Sequence, residues 1–143
     1  AAADIRIAAE SAKIGFMFTK VGLAGADMGA TWLLPRLVGL SQATRMLMPG
    51  DFTDAQEAYR IGLYHAVVPQ EEVMETAMAF AKKLAKGPSL GLEITKDLLN
   101  RGANMDLVSE LEAEAQIQAA CMQHPNFAES HKAFVEKRKP EFT

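Results

Sequence analysis

The stretch "DIRIA", residues 4–8, alternates, with Ile5 and Ile7 on one face and Arg6 on the other. Such alternation reads as a short, half-buried strand. A strand constrains a fold more than a helix does, because its N–H and C=O groups need a neighbouring strand. Gly15, the apolar "FMF" and "TKVGL" come next and read as a second strand piece running into a loop. Neither piece is expected to find a partner within the chain, and a short isolated pair is marginal in water. Ala1 to Ala3 resemble the end of a helix. The expectation is therefore that these residues form the later part of a larger fold.

From Gly22 onward the pattern is mostly helical. Gly22, Gly25 and Gly29 keep residues 22–29 loop-like, and the pattern predicts a helix from about Met28 to Val38, bent or broken at Pro35. Ser41 can cap a further helix, "QATRMLM", that stops at Pro49-Gly50. Thr53 with Gln56 forms a capping box for "DAQEAYRI", with Gly62 as terminator. "LYHAVV" before Pro69 reads as a strand or extended link. Val73, Ala77, Phe80 and Leu84 then make one apolar stripe, with Glu71, Glu72 and Glu75 at its start and Lys82, Lys83 and Lys86 at its end. Gly87-Pro88 ends that helix, Ser89 starts another that closes at Gly102, and a long helix covers about Met105 to Met122. Asn126 with Glu129 is expected to cap the last helix, which ends near Lys139-Pro140.

Composition narrows the function classes. The net charge of −3 over 143 residues gives no general reason to expect nucleic acid as a partner. No apolar run approaches membrane-spanning length, and no signal-peptide pattern is present. Cys121 is the single cysteine, which fits a reducing, cytoplasmic setting. His65, His124 and His131 have no metal-ligand spacing and read as structural or surface residues. Cys121 and Tyr64 read as packed residues, and Arg36 and Arg45 as structural ones.

Four blocks then carry a family resemblance: "ADIRIAAESAKIGF", "KVGLAGADMGATWLLPRLVG", "AQEAYRIGLYHAVVP" and "FVEKRKPEFT". In order and spacing they resemble the crotonase family, also called the enoyl-CoA hydratase/isomerase superfamily. Its usual patterns are close to A-D-I-R-I-A, G-G-T-Q-R-L-P-R-L-V-G, A-x-E-A-x-x-x-G-L-V and F-x-E-K-R-K-P. The resemblance implies an α/β fold: the later part of a ββα spiral, then a helical C-terminal region that builds trimers or dimers of trimers. Residues 1–68 would be the end of the spiral core with its pocket loop, and residues 69–143 the helical oligomerisation region. It further implies chemistry on an acyl-CoA thioester, with coenzyme A as part of the substrate and no separate cofactor. In the family the thioester oxygen sits between two backbone N–H groups from glycine-rich segments that precede "ADIRIA".

Family hydratases also use two glutamates. The first precedes "ADIRIA", and the second falls in a stretch like F-G-x-P-E-x-x-x-G. In that register this chain has "IGFMFTKVG", with Phe18 at the glutamate's place. A phenyl ring transfers no proton, so the chain departs here from two-glutamate hydration, and the resemblance implies that Phe18 contacts the substrate. The family's loop I-P-G-A-G-G-T corresponds to "LAGADMGAT", which carries one extra residue and Asp27. Three readings of Asp27 stand open: the N-cap of the next helix, a relocated acid/base, or part of a phosphate cradle, which its own charge opposes. In the last helix, the resemblance implies that Phe134 touches the ligand and that Lys137, in the basic cluster "EKRK", meets the nucleotide phosphates. A non-catalytic acyl-CoA-binding or assembly subunit is the alternative reading, and a helical stretch that only holds an oligomer together is a third.

Overall fold

A computed structural model describes residues 1–143. The architecture is mixed α/β and mostly helical, with four short strands and six α-helices. It divides into two compact units, Ala1–Met78 and Ala79–Thr143.

The strands all lie in the first unit: β1 (Ile7–Ala9), β2 (Lys13–Ile14), β3 (Thr53–Asp54) and β4 (Ala66–Val68). They overturn the expectation that the early strand has no partner. β1 pairs in parallel with β4, Ile7 opposite Ala66 and Ala9 opposite Val68, so "HAVV" is a strand rather than a link. Arg6 locks the register from outside: its Nε donates to the Leu63 carbonyl at 2.5 Å, and its carbonyl accepts the His65 N–H at 2.7 Å. β2 pairs antiparallel with β3. Each sheet has only two strands, so every strand keeps one edge without a strand neighbour.

The second expected strand piece is instead a 3-10 turn, Met17–Val21. Its backbone bonds close locally: Leu23 N–H donates to the Phe18 carbonyl at 2.9 Å, with Gly22 left-handed at φ 78°. Local closure removes the need for a strand partner, and Val21 stands 72% exposed.

Helix α1 runs Ala30–Leu47 and breaks at Gly39, which has φ 77° and ψ 157°. The division expected between Val38 and the helix opening at Ser41 is this break, while Pro35, expected to bend or break the helix, sits inside its first half. There it removes only the donor that would reach the Thr31 carbonyl, whereas the Gly39 conformation ends the helical path outright. Helix α2, Ala55–Arg60, is capped by Asp54, whose Oδ1 accepts the Glu57 N–H at 2.8 Å. The cap is one residue later than the expected Thr53: both residues lie in β3, but Thr53 is buried at 5% exposure while Asp54 is exposed. The core of this unit gathers Ala30, Leu34, Ala43, Met46, Leu47, Ala58 and Leu63, with Phe16, Leu37 and Tyr64 against it.

Helix α3, Val73–Ala85, begins in the first unit and carries the expected charge gradient. The second unit holds α4 (Ser89–Gly102), α5 (Leu107–Gln123) and α6 (Pro125–Val135). The Asp106 carboxylate caps α5 by accepting the N–H groups of Val108 and Ser109, each at 3.0 Å. His124, not Asn126, caps α6: its Nδ1 accepts the Asn126 N–H at 3.2 Å, and Pro125 takes the first helical position. α5 packs against both α4 and α6. None of α3, α4 or α5 has a buried residue. No helix is long and apolar enough to cross a membrane.

Candidate functional site

The loop between the 3-10 turn and α1 holds Asp27. Gly25 is required there: a Cβ at this position would lie 2.8 Å from the Leu47 carbonyl oxygen. After Asp27 the backbone turns left-handed twice, at Met28 (φ 48°) and Gly29 (φ 79°). A left-handed methionine is strained by roughly 1–2 kcal/mol. Its side chain, 91% exposed, recovers nothing by packing.

The cap reading of Asp27 is thereby closed. Gly29 is the N-cap residue of α1, and no side chain caps that helix. Asp27 instead accepts the N–H of its own neighbour, Met28, at 2.8 Å, while its carbonyl accepts the Ala30 N–H at 2.9 Å. One N–H that a phosphate cradle would offer, that of Met28, is thus taken by a carboxylate. Asp27 remains an exposed carboxylate on a strained elbow.

Behind the elbow lies a hollow of about 300 Å³, bordered by Thr19, Gly25, Ala26, Thr31 and Pro35. Thr19 Oγ1 is buried without a hydrogen-bond partner. Phe18 is half-buried one residue earlier, in the 3-10 turn. Trp32, near the start of α1, carries the Arg36 guanidinium 3.7 Å from its ring centroid. Tyr64 packs against the core, and burial pushes its hydroxyl pKa up.

The second unit places Phe134 and Lys137 at the end of α6. Phe134 is 83% exposed. Lys137 is left-handed at φ 53°. Its N–H donates to the Phe134 carbonyl at 3.2 Å, and the Arg138 N–H reaches the Ala133 carbonyl at 3.0 Å. This is a Schellman ending, with lysine where glycine is preferred. A larger hollow, about 850 Å³, opens among α4, α5, α6 and Phe142, and Leu98, Ile117, Cys121 and Phe127 border it. Glu110 Oε2 is buried beside it without a hydrogen-bond partner.

Sequence reasoning missed the groups around Lys137. The pattern gives Glu129 to a helix cap, yet its carboxylate accepts Arg138 Nη1 at 2.5 Å, Arg138 Nη2 at 3.0 Å and the Glu141 N–H at 2.9 Å. The signal was available in the pairing of Glu129 with the arginine inside "EKRK". Arg138 and the Glu141 N–H hold the Glu129 pKa down to about 2, from an ordinary 4.5. The Ser109 hydroxyl likewise lowers Asp106, and Arg60 lowers Glu57.

These groups set an acid limb. Each is more acidic folded than unfolded, so the unfolded chain takes up protons first as the pH drops. Their stabilisation is complete above about pH 5 and is lost on acidification, the Glu129 share disappearing as pH falls through about 2. The urea midpoint is therefore expected to decline between these limits. Glu129→Gln should flatten the lower part of that decline, and an unchanged profile would contradict the assignment.

Comparison with known proteins extends these observations. The family model described as enoyl-CoA hydratase/isomerase matches residues 1–143. A solved structure of a candidate enoyl-CoA hydratase from Streptomyces coelicolor is 46% identical, with a TM-score of 0.95 over 99% of this chain and 51% of that one. A candidate enoyl-CoA hydratase of Rhodobacter capsulatus is 39% identical over 99% of this chain and 55% of its own length. The 1,2-epoxyphenylacetyl-CoA isomerase of Escherichia coli is 36% identical over 98% of this chain and 53% of its own length. The chain thus spans about half the length of the relatives it matches.

Proposed function

Because the chain belongs to the enoyl-CoA hydratase/isomerase family, we propose that it serves the hydration or isomerisation of an enoyl-CoA through an enolate. The observation that carries this reading is the unbroken family match from residue 1 to residue 143. In that reaction a proton moves at a carbon near the thioester while negative charge builds on the carbonyl oxygen. Two backbone N–H groups stabilise that charge, and losing one such donor costs about 2.7–4 kcal/mol of barrier. These donors are assigned to polypeptide outside residues 1–143, so this stretch alone is expected to be inactive.

Within the chain, Asp27 is the proposed proton carrier. Its support is geometric: a carboxylate on a strained elbow, in the loop that comes after the turn bearing Phe18. Strain held in a loop at the cost of stability is a pointer to function. Phe18 contacts the acyl part of the substrate, while Phe134 and Lys137 take the coenzyme A part, with the Lys137 ammonium toward the phosphates. Coenzyme A is substrate here and not a separate cofactor. The partner is a further copy of the same protein, in trimers or dimers of trimers. That reading is supported by α4 and α5, which have no fully buried residue, with Leu99, Leu107 and Val108 at 75%, 73% and 65% exposure. The lone free cysteine suits a cytoplasmic setting.

A second reading, a non-catalytic acyl-CoA-binding subunit, is favoured by Phe18 at the place of the hydratase glutamate. One experiment separates the two. Whole protein is mixed with crotonyl-CoA and, separately, with a 3-enoyl-CoA; loss of the conjugated enoyl-thioester absorbance reports hydration, its gain from the 3-enoyl-CoA reports isomerisation, and binding is measured by calorimetry. Turnover is the expected result. Heat of binding without turnover would establish the subunit reading, and neither signal would refute both.

A further inference from the structure

Lys137 occupies a left-handed position that a lysine does not choose by itself. Beyond it, residues 138–143 fold back along α6 and are fastened at two points. At the first, Glu129 grips the Arg138 guanidinium through both Nη1 and Nη2 and also accepts the Glu141 N–H. Glu136 takes the remaining Arg138 Nε at 2.6 Å. At the second, the Asn126 amide is satisfied from both sides: its Nδ2 donates to the Thr143 carbonyl at 2.9 Å, and its Oδ1 accepts the Thr143 N–H at 3.0 Å. Ser89 Oγ donates to the same Thr143 carbonyl at 3.1 Å. Asn126 is one of the few buried side chains of the second unit, at 7% exposure.

We propose that Glu129 and Asn126 are positioning residues that strap residues 138–143 to α6 and thereby hold the Lys137 turn in the one conformation that presents its ammonium to a nucleotide phosphate. The proposal rests on the reading above that Lys137 meets the phosphates of coenzyme A. Its physical content is separate from that reading. A bidentate arginine–carboxylate pair fixes direction as well as distance. Fixed at both ends, the segment leaves Lys137 no room to relax out of the left-handed region. A turn that had to order on binding would lose affinity through that ordering, and the strap removes this backbone cost in advance.

The test uses the whole protein, with free coenzyme A as probe, and two readouts: hydrogen exchange of the amides of residues 137–141, and binding by calorimetry. Glu129 is partly exposed, so Glu129→Gln should leave α6 folded, whereas the buried Asn126 is left untouched. Glu129→Gln is expected to raise exchange in this segment by about five- to tenfold and to weaken coenzyme A by a similar factor. The conservative variant Glu129→Asp keeps a carboxylate that can accept from both Arg138 and the Glu141 N–H, and should retain much of both. Lys137→Gly suits the left-handed turn and removes the ammonium, so it should weaken binding with exchange unchanged. Unchanged exchange in Glu129→Gln would overturn the strap, and a loosened turn with undiminished affinity would overturn its positioning role. Failure of the underlying reading looks different: the unsubstituted protein, or Lys137→Gly against it, shows no contribution of the ammonium to coenzyme A binding.

Discussion

Asp27→Asn is expected to slow turnover of the enoyl-CoA substrate in the whole protein by about 10²–10⁴-fold, the range a positioned acid–base group supplies. The substitution is informative because it leaves the elbow intact. Asparagine keeps the Oδ1 acceptor that takes the Met28 N–H at 2.8 Å, so the left-handed pair at Met28 and Gly29 persists. What disappears is the capacity to carry a proton. The loss should fall on kcat, with KM little changed, since no binding contact is assigned to that carboxylate. Asp27→Ala removes the acceptor too, and any additional loss measures what the elbow itself contributes. Turnover by Asp27→Asn within about twofold of the unsubstituted protein would remove Asp27 from the chemistry.

Leu34→Ala is expected to lower stability by about 2–5 kcal/mol. Leu34 is fully buried, at 0% exposure, among Ala30, Met46 and Leu63. Truncating it both loses transfer free energy and opens a void that close-packed neighbours fill only in part. The consequence reaches the loop, because Leu34 lies one turn after Ala30, and Ala30 adjoins the elbow directly. Leu34→Met keeps most of the volume and should cost less than about 1.5 kcal/mol. Urea unfolding of the two variants measures the difference. A loss under about 1 kcal/mol for Leu34→Ala would mean that α1 settles into the void.

The divisions between the helices of the second unit could be read directly from residues. Gly87-Pro88 and Gly102 act within a turn or two of where they stand, so local chemistry decides them. The capping positions differ by one or two residues from the local pattern, Asp54 in place of Thr53 and His124 in place of Asn126. Several adjacent side chains can serve as caps there, and long-range packing selects among them: burial takes Thr53, leaving exposed Asp54, and Thr143 claims Asn126. The β1–β4 pair was out of reach for a related reason, since nothing local in "HAVV" names its partner. At the candidate site, a lone carboxylate among small residues drew attention to Asp27. The elbow that presents it depends on the approach of Gly25 to the Leu47 carbonyl, which no local pattern encodes.

The parallel β1–β4 pair also has a consequence in time. Arg6 and His65, which flank it, are 59 residues apart along the chain. At 5–20 residues per second on a ribosome, β1 waits roughly 3–12 s for its partner to be synthesised. Helical turns need only microseconds. The β1 edge that faces β4 therefore stays open for those seconds, an interval in which a chaperone or a passing strand competes with Ala66–Val68 for it.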